Sequence, residues 1–359
     1  MTTEIAQHRL PSAPPKRSGT PRSGSRQQVG VVLSGMLLLA VLCVASLLTG
    51  SGDIPAARVL STLSQWATDG LTDPDTTELL IIERRLPRTL LAVLVGAGLG
   101  AAGVLMQAMT RNPLADPGLL GVNAGAYTAV VFGSAVLGVT VGASHVWLAV
   151  VGALVTAVAV YIIGTSGAMA GSPAKLVLTG VAIGAVLSGV SFAVTLAMPE
   201  VFDQVRFWSA GSLQGRGFTE VTAVLPFLAA GLLIALALPR ALNALSLGDD
   251  AAVALGARPG LTRLVGLAAV TLLCGAATAA AGPVSFIGLM VPHALRMLFG
   301  PDHRWLIPVS VLAAPILLLT ADILGRIIVT AELPAGVVTA FLGAPVLIWL
   351  TRRKAVKNL

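Results

Sequence analysis

Long stretches of this chain carry no Asp, Glu, Lys or Arg: none occurs between Asp116 and Lys175, between Lys175 and Glu200, or between Arg263 and Arg296. No single globular core absorbs that much uncharged sequence. A bilayer does, provided each segment satisfies its own backbone N–H and C=O groups, as a helix can. Only 11% of the 359 residues are charged, against about 25% in ordinary soluble domains. The 39 glycines suit the close approach of helices in lipid. The expected fold class is an all-α polytopic membrane protein.

Ten apolar runs are near the ~20 residues needed to cross hydrocarbon. They are Val29–Gly50 and the stretches 87–110, 118–138, 145–163, 176–198, 221–239, 262–281, 284–299, 305–323 and 334–351. The run 284–299 is the weakest, because Pro292 and His293 interrupt it. A signal peptide is the rival reading of Val29–Gly50, but no small-residue cleavage site separates it from a following domain. The division is therefore a Pro-, Ser- and Arg-rich disordered tail (1–28), a membrane domain (29–351) and a short tail (352–359).

Lys and Arg set the orientation. Arg9, Lys16, Arg17, Arg22 and Arg26 precede the first run, and Arg352, Arg353, Lys354 and Lys357 follow the last. Both termini are expected in the cytoplasm, as an even number of spans requires. The connection 240–263 then lies inside, and 51–86, 199–220 and 324–333 lie outside. Arg84, Arg85 and Arg88 break the rule, standing at the outer end of the second span. A 170-residue offset aligns Arg88, Gly96, Pro113, Gly118 and Leu119 with Arg258, Gly266, Pro283, Gly288 and Leu289. Ten spans would make this an inverted repeat, as in many transporters.

Several chemistries are disfavoured. The net charge of +7 comes largely from clusters at the ends, without an aromatic-basic stripe, so no nucleic-acid partner is expected. Cys43 and Cys274 lie inside apolar runs, which argues against a disulfide or thiolate metal site. His8, His145, His293 and His303 are too scattered for paired haem ligands, and no metal or catalytic residue is assigned. No Gly-rich loop leads into Lys and Ser/Thr, so ATP energy has to come from a partner. An ion-coupled carrier wants an ionisable group at the midplane. The best candidate, Asp322, stands four residues before Arg326, and an exposed helix-end salt bridge is the preferred explanation. His293 could line a pathway or partner the kink at Pro292; the structural role is preferred.

The inner connection holds a short segment, about 245–257, with helix-start chemistry. Asp249 and Asp250 stand where the N-terminal dipole favours carboxylates, and Gly256 can close the C-terminus. Ala251, Ala252, Ala254 and Leu255 would give a small apolar face able to lie in a partner's groove. From spacing alone, a solvated loop with a helical turn explains it as well or better.

Longer blocks point to a family. Arg85-Leu-Pro-Arg88, the block from Met106 through Arg111-Asn-Pro-Leu-Ala-Asp-Pro-Gly118 to Ala126, Leu247–Gly256, Gly282–Arg296, Asp302-His-Arg304 and Glu332–Pro345 closely resemble the FecCD-type permeases of siderophore, haem and cobalamin ABC importers. The blocks span about residues 80–350, in family order and spacing.

The resemblance implies a ten-helix subunit of the type II importer fold. A second permease chain, identical or a sister, would pair with it around the pathway. Two ABC ATPase subunits, holding the ATP and Mg, would seat on Leu247, Gly248, Asp249, Asp250, Ala251, Ala252, Leu255 and Gly256 as the coupling segment; this chain itself would bind no cofactor. An extracytoplasmic binding protein would dock on Arg85, Arg88 and Arg326. Gly118, Gly121, Asn123, Gly125 and His293 are candidates for the pathway, with helix packing the rival role for the glycines. The expected function is inward transport of iron–siderophore complexes across a bacterial cytoplasmic membrane. Haem or cobalamin import is the alternative cargo, and an ion-coupled secondary transporter or a non-transporting scaffold or enzyme the alternative class.

Overall fold

The computed structural model describes residues 25–50, 54–70, 73–138, 143–167, 172–329 and 331–357. The expected tail 1–28 therefore lies outside the described residues apart from 25–28, which already belong to the first helix. Residues 352–357, expected as a tail, continue the last one.

Ten helices have the length or apolarity of membrane elements: α1 Ser25–Leu48, α2 Leu86–Thr110, α3 Val122–Leu137, α4 Ala143–Thr165, α5 Pro173–Ala197, α6 Phe218–Ala237, α7 Pro259–Ala281, α8 Ile287–Phe299, α9 His303–Ile328 and α10 Ala335–Lys357. Seven are long and apolar enough to cross a membrane; α3, α8 and α10 carry shorter apolar stretches. No strand occurs among the described residues. All ten expected runs coincide with a helix.

Two boundaries move, each for a local reason. The third run was expected from residue 118, but Asp116 caps a single 3₁₀ turn, Pro117–Leu120, and Gly121 takes φ +74, so α3 starts at Val122. The run 284–299 begins as non-helical backbone after Gly282 (φ +74), leaving a helix of 13 residues. At 1.5 Å per residue that helix is about 20 Å long, short of a ~30 Å hydrocarbon core. Pro292 stays inside it.

α2 and α7 are the centre. Their apolar windows are 83% and 78% buried, against 6% for α1 and 11% for α5. Lipid tails are as apolar as leucine, so helices associate here through close packing rather than water exclusion. The glycines of α2 permit it. A Cβ at Gly96 or Gly100 would strike backbone of α9 at Pro315 or Ser310, and one at Gly103 would strike the Gly288 backbone at the start of α8. The 170-residue offset thus pairs the two central helices, with Gly118 and Gly288 both in or beside the turn that follows.

At one end of the bundle, Ala56–Thr68 packs against the turn that leads into α2, where Asp75 and Glu78 form a reciprocal cap. The connection between α6 and α7, expected on the inner side, folds as two short helices, Pro239–Leu245 and Asp249–Ala254.

Candidate functional site

Arg85, Arg88 and Arg326, the arginines expected on the outer face, are largely buried rather than displayed. Arg85 is 5% exposed, and its Nη1 donates to the carbonyls of Leu47 and Leu48 at 3.0 and 3.3 Å. Arg326 donates through Nη1 to the carbonyls of Ser46 and Thr49 at 2.9 and 2.6 Å, and through Nη2 to Ser46 Oγ at 2.8 Å. A helix leaves its last four carbonyls without intrahelical donors, and these form the negative end of its dipole. Both guanidiniums therefore cap α1. Of the three arginines expected to break the topology rule, this gives Arg85 a structural reason for its place.

Asp322 is the hub of the cluster. Arg326 reaches its Oδ2 at 2.7 Å, and Arg88 reaches Oδ1 at 2.9 Å through Nη2, with Nε a further 3.1–3.2 Å from the two oxygens. Arg88 Nη1 also donates to Glu332 at 2.8 Å. The Asp322 side chain is 1% exposed, so the expected exposed helix-end pair is instead a buried network joining α1, α2, α9 and Glu332. Arg84 is exposed and donates to the Gly215 carbonyl. A recess of about 60 Å³ opens among Arg84, Arg85, Arg88, Arg326 and Glu332.

The segment 245–257, expected on the inner side, contains a capped helix. Gly248 at φ +108 turns the chain so that Asp249 leads, and Gly256 at φ +80 ends it. Ala257 N–H reaches the Ala252 carbonyl and Gly256 N–H that of Val253, the paired bonds of a Schellman C-terminus. The anticipated apolar face is only partly where the spacing put it. Ala252 is fully buried against the body, while Leu247, Val253 and Leu255 are 60–66% exposed. Asp250 points to solvent.

Asp249 does not merely favour the dipole. Arg263 grips both of its oxygens at 2.8 and 2.9 Å, and Arg111 donates to Oδ1 as well. The Arg263 hydrogen bonds foremost, with the charges of Arg263 and Arg111 adding to them, hold this carboxyl below its usual range although burial works in the opposite direction. Nearby, Asn243 donates to Asp302 at 2.6 Å and accepts from His303 N–H at 3.0 Å and from Nδ1 at 2.6 Å, seating the helix Pro239–Leu245 on the start of α9. Sequence reasoning treated Arg263 as a topology signal and gave Arg111, Asn243 and Glu332 no role. The only signal was their place inside or beside the family blocks.

Of the pathway candidates, Gly118, Gly121 and Asn123 line one cavity of about 410 Å³, together with Tyr127, Gly184 and Ser188. Tyr127 and Ser188 also border an adjoining cavity of about 610 Å³ that includes Phe192 and Phe202. Asn123 Oδ1 accepts from Thr278 Oγ1 at 2.8 Å and from Cys274 Sγ at 3.4 Å, fastening α3 to α7. Gly125 packs tightly on Gly152 and Thr156 of α4, the helix-packing role. His293 is 2% exposed within α8. Among the described residues, no three His, Cys, Asp or Glu side chains gather as a metal site would need.

Comparison with known proteins agrees with this architecture. The chain is 51% identical over 326 residues to the ferric enterobactin transport system permease protein FepD of Escherichia coli K12, covering 90% of this chain and 96% of that one. It is 38% identical over 339 residues to the hemin transport system permease protein HmuU of Yersinia pestis, covering 92% and 97%. A solved inward-facing structure, assigned to the metal-chelate type of ABC transporter, superposes with a TM-score of 0.77 at 26% identity, covering 90% of this chain and 99% of that one. The profile of the FecCD transport family matches residues 38–353. Since that match runs from within α1 into α10 and takes in the capped inner helix, the outer cluster and the α3 cavity, this chain belongs to the FecCD transport family.

Proposed function

We propose that this chain is the membrane-spanning permease subunit of an ATP-driven importer that carries iron–siderophore complexes inward. The observation that carries the cargo is the 51% identity to the ferric enterobactin permease, against 38% to the hemin permease. The chain is the transport subunit and not itself an enzyme. Hydrolysis of ATP, with its Mg, belongs to two partner ATPase subunits in the cytoplasm, and both termini of this chain face that side.

Three surfaces support the assembly. Leu247, Val253 and Leu255 offer exposed apolar side chains on the capped inner helix, suited to a groove in the ATPase. α5 is 11% buried and exposes Leu178, Phe192 and Leu196 at 68–72%, next to the cavities, where a second permease chain would complete the pathway walls. At the outer recess, Arg84, Arg85, Arg88 and Arg326 outnumber Asp322 and Glu332. A carboxylate of the delivery protein would find a net positive site there, and such charge pairs act mainly on encounter rate and orientation.

The mechanism is alternating access. The loaded delivery protein docks outside, ATP closes the ATPase pair, and the inner helices move with it. The two permeases then tilt, and cargo passes the cavity lined by Gly118, Gly121 and Asn123. A ligand shifts such an equilibrium only by its differential affinity for the two states, so small, weakly binding walls suit a pathway whose specificity resides in the delivery protein.

The test is reconstitution in proteoliposomes with the ATPase and the delivery protein. Uptake of a ferric tricatecholate siderophore should require all components and ATP. Uptake by this chain alone under an ion gradient would refute the importer reading, and ATP-dependent uptake of hemin but not of the siderophore would transfer the cargo to the haem alternative.

A further inference from the structure

The helix Asp249–Ala254 is small, and its polar attachment to the membrane domain is concentrated in one side chain. Asp249 receives Arg263 through both Nη atoms and Arg111 through Nη2. Arg263 lies in the first turns of α7. Arg111 is the residue directly after α2, held at φ +51. Of the seven helices of spanning length among the described residues, these two are the most enclosed, with 83% of the apolar window buried in α2 and 78% in α7. One carboxylate therefore joins the segment that faces the cytoplasm to both central helices at once.

Magnitude decides what such a junction is for. The Asp249 side chain is 43% exposed and that of Arg111 41%, and ion pairs this open add little to stability. A guanidinium that meets both oxygens of a carboxylate does, however, fix their relative orientation. The second arginine adds a constraint from a different helix. The arrangement is a weak fold stabiliser and a strong register mark.

We propose that Asp249, gripped by Arg111 and Arg263, is the positioning residue that turns displacement of the inner helix into movement of α2 and α7, and so sets how much cargo moves per ATP. This rests on the reading of Leu247–Gly256 as the ATPase contact. The exposed Leu247, Val253 and Leu255 receive the push on one face. Ala252, fully buried on the other, seats the helix, and Asp249 directs where the push goes.

The experiment uses the full complex in proteoliposomes, comparing wild type, Asp249→Asn and Asp249→Glu. Transport of ferric tricatecholate per ATP hydrolysed should fall at least about fivefold in Asp249→Asn, the lower range for coupling between sites, and recover in Asp249→Glu, which keeps the charge. Spin labels at Val253 and Leu264, both exposed, give a cargo-independent readout. Their distance should stay single and constant between nucleotide-free and ATP-bound wild type, and split into two populations in Asp249→Asn. An unchanged transport ratio with an unchanged distance in an assembled Asp249→Asn complex overturns the proposal. Should Asp249→Asn not accumulate, Arg111→Gln, which leaves the Arg263 pair in place, decides by the same two readouts. Failure of a Val253→Cys chain to cross-link to the ATPase would instead defeat the underlying coupling reading, whatever Asp249→Asn does.

Discussion

Arg88 and Asp322, 234 residues apart in sequence, meet between α2 and α9 at 2.9 Å, while Asp322 holds Arg326 at 2.7 Å on its other oxygen. Asp322 thus bridges two guanidiniums at a place where its side chain is 1% exposed, and Glu332 is a second carboxylate on Arg88. Without Asp322, Arg326 would lose its carboxylate and Arg88 would keep only Glu332.

Asp322→Asn should consequently be among the most damaging conservative changes in the chain. Breaking a buried ion pair by removing one partner costs about 3–5 kcal/mol. The expected outcome is a clear fall in the detergent melting temperature, read by fluorescence-detected size exclusion.

Glu332 is the exchangeable member of the cluster. It sits in a turn with φ +52 and is 17% exposed. Glu332→Gln should alter stability by no more than about 1.5–3 kcal/mol, the range for a hydrogen bond to a charged group. It should also quicken association of the delivery protein at low salt, since Arg88 would lose an internal competitor. Association rates by surface plasmon resonance at two ionic strengths check this.

Val253→Cys should form an adduct with the ATPase in an assembled complex, whereas Ala252→Cys should not. Val253 is 60% exposed and Ala252 fully buried. Equal adduct yields at the two positions would contradict the orientation of the inner helix.

Gly103→Ala should destabilise the fold by about 1–3 kcal/mol, because its Cβ would overlap the Gly288 backbone and overpacking costs that much. Gly30→Ala in α1, which meets open space, should be neutral or slightly stabilising. Thermal unfolding of the two variants side by side separates packing from helix propensity.

The Asp249 carboxyl is held below its ordinary 3.8 by Arg263 first. A depressed folded value means that the contact is fully present above the unfolded value and is lost as pH falls through the folded one. The Val253–Leu264 distance should therefore be constant from about pH 8 to pH 5, and should broaden only below about pH 4. A transition near neutrality would indicate a different titrating group.

Much of the molecule was legible along the chain. Charge-free runs of spanning length have one solution in lipid, and all ten expected runs hold a helix. The C-terminal closure of the segment 245–257 was equally local, since Gly256 acts through its own backbone and the residues beside it. The starts of α3 and α8 were not legible. Their apolar composition continues through turns that only Gly121 and Gly282, in left-handed or extended positive-φ backbone, reveal.

Roles that depend on partners far off in sequence were hidden altogether. Arg85 and Arg326 read as outward charges until the end of α1 is seen beneath them. Asp322 read as half of a surface pair until Arg88 arrives from α2. Ala252 read as a contact face until it is found facing the body. Periodicity and turn chemistry act over a few residues, so the sequence by itself determined the membrane class, the helices and their caps. Burial and charge pairing are set by side chains brought together from hundreds of residues apart, and only the packed helices decided which arginines cap, which carboxylate binds and which face of the inner helix is left free.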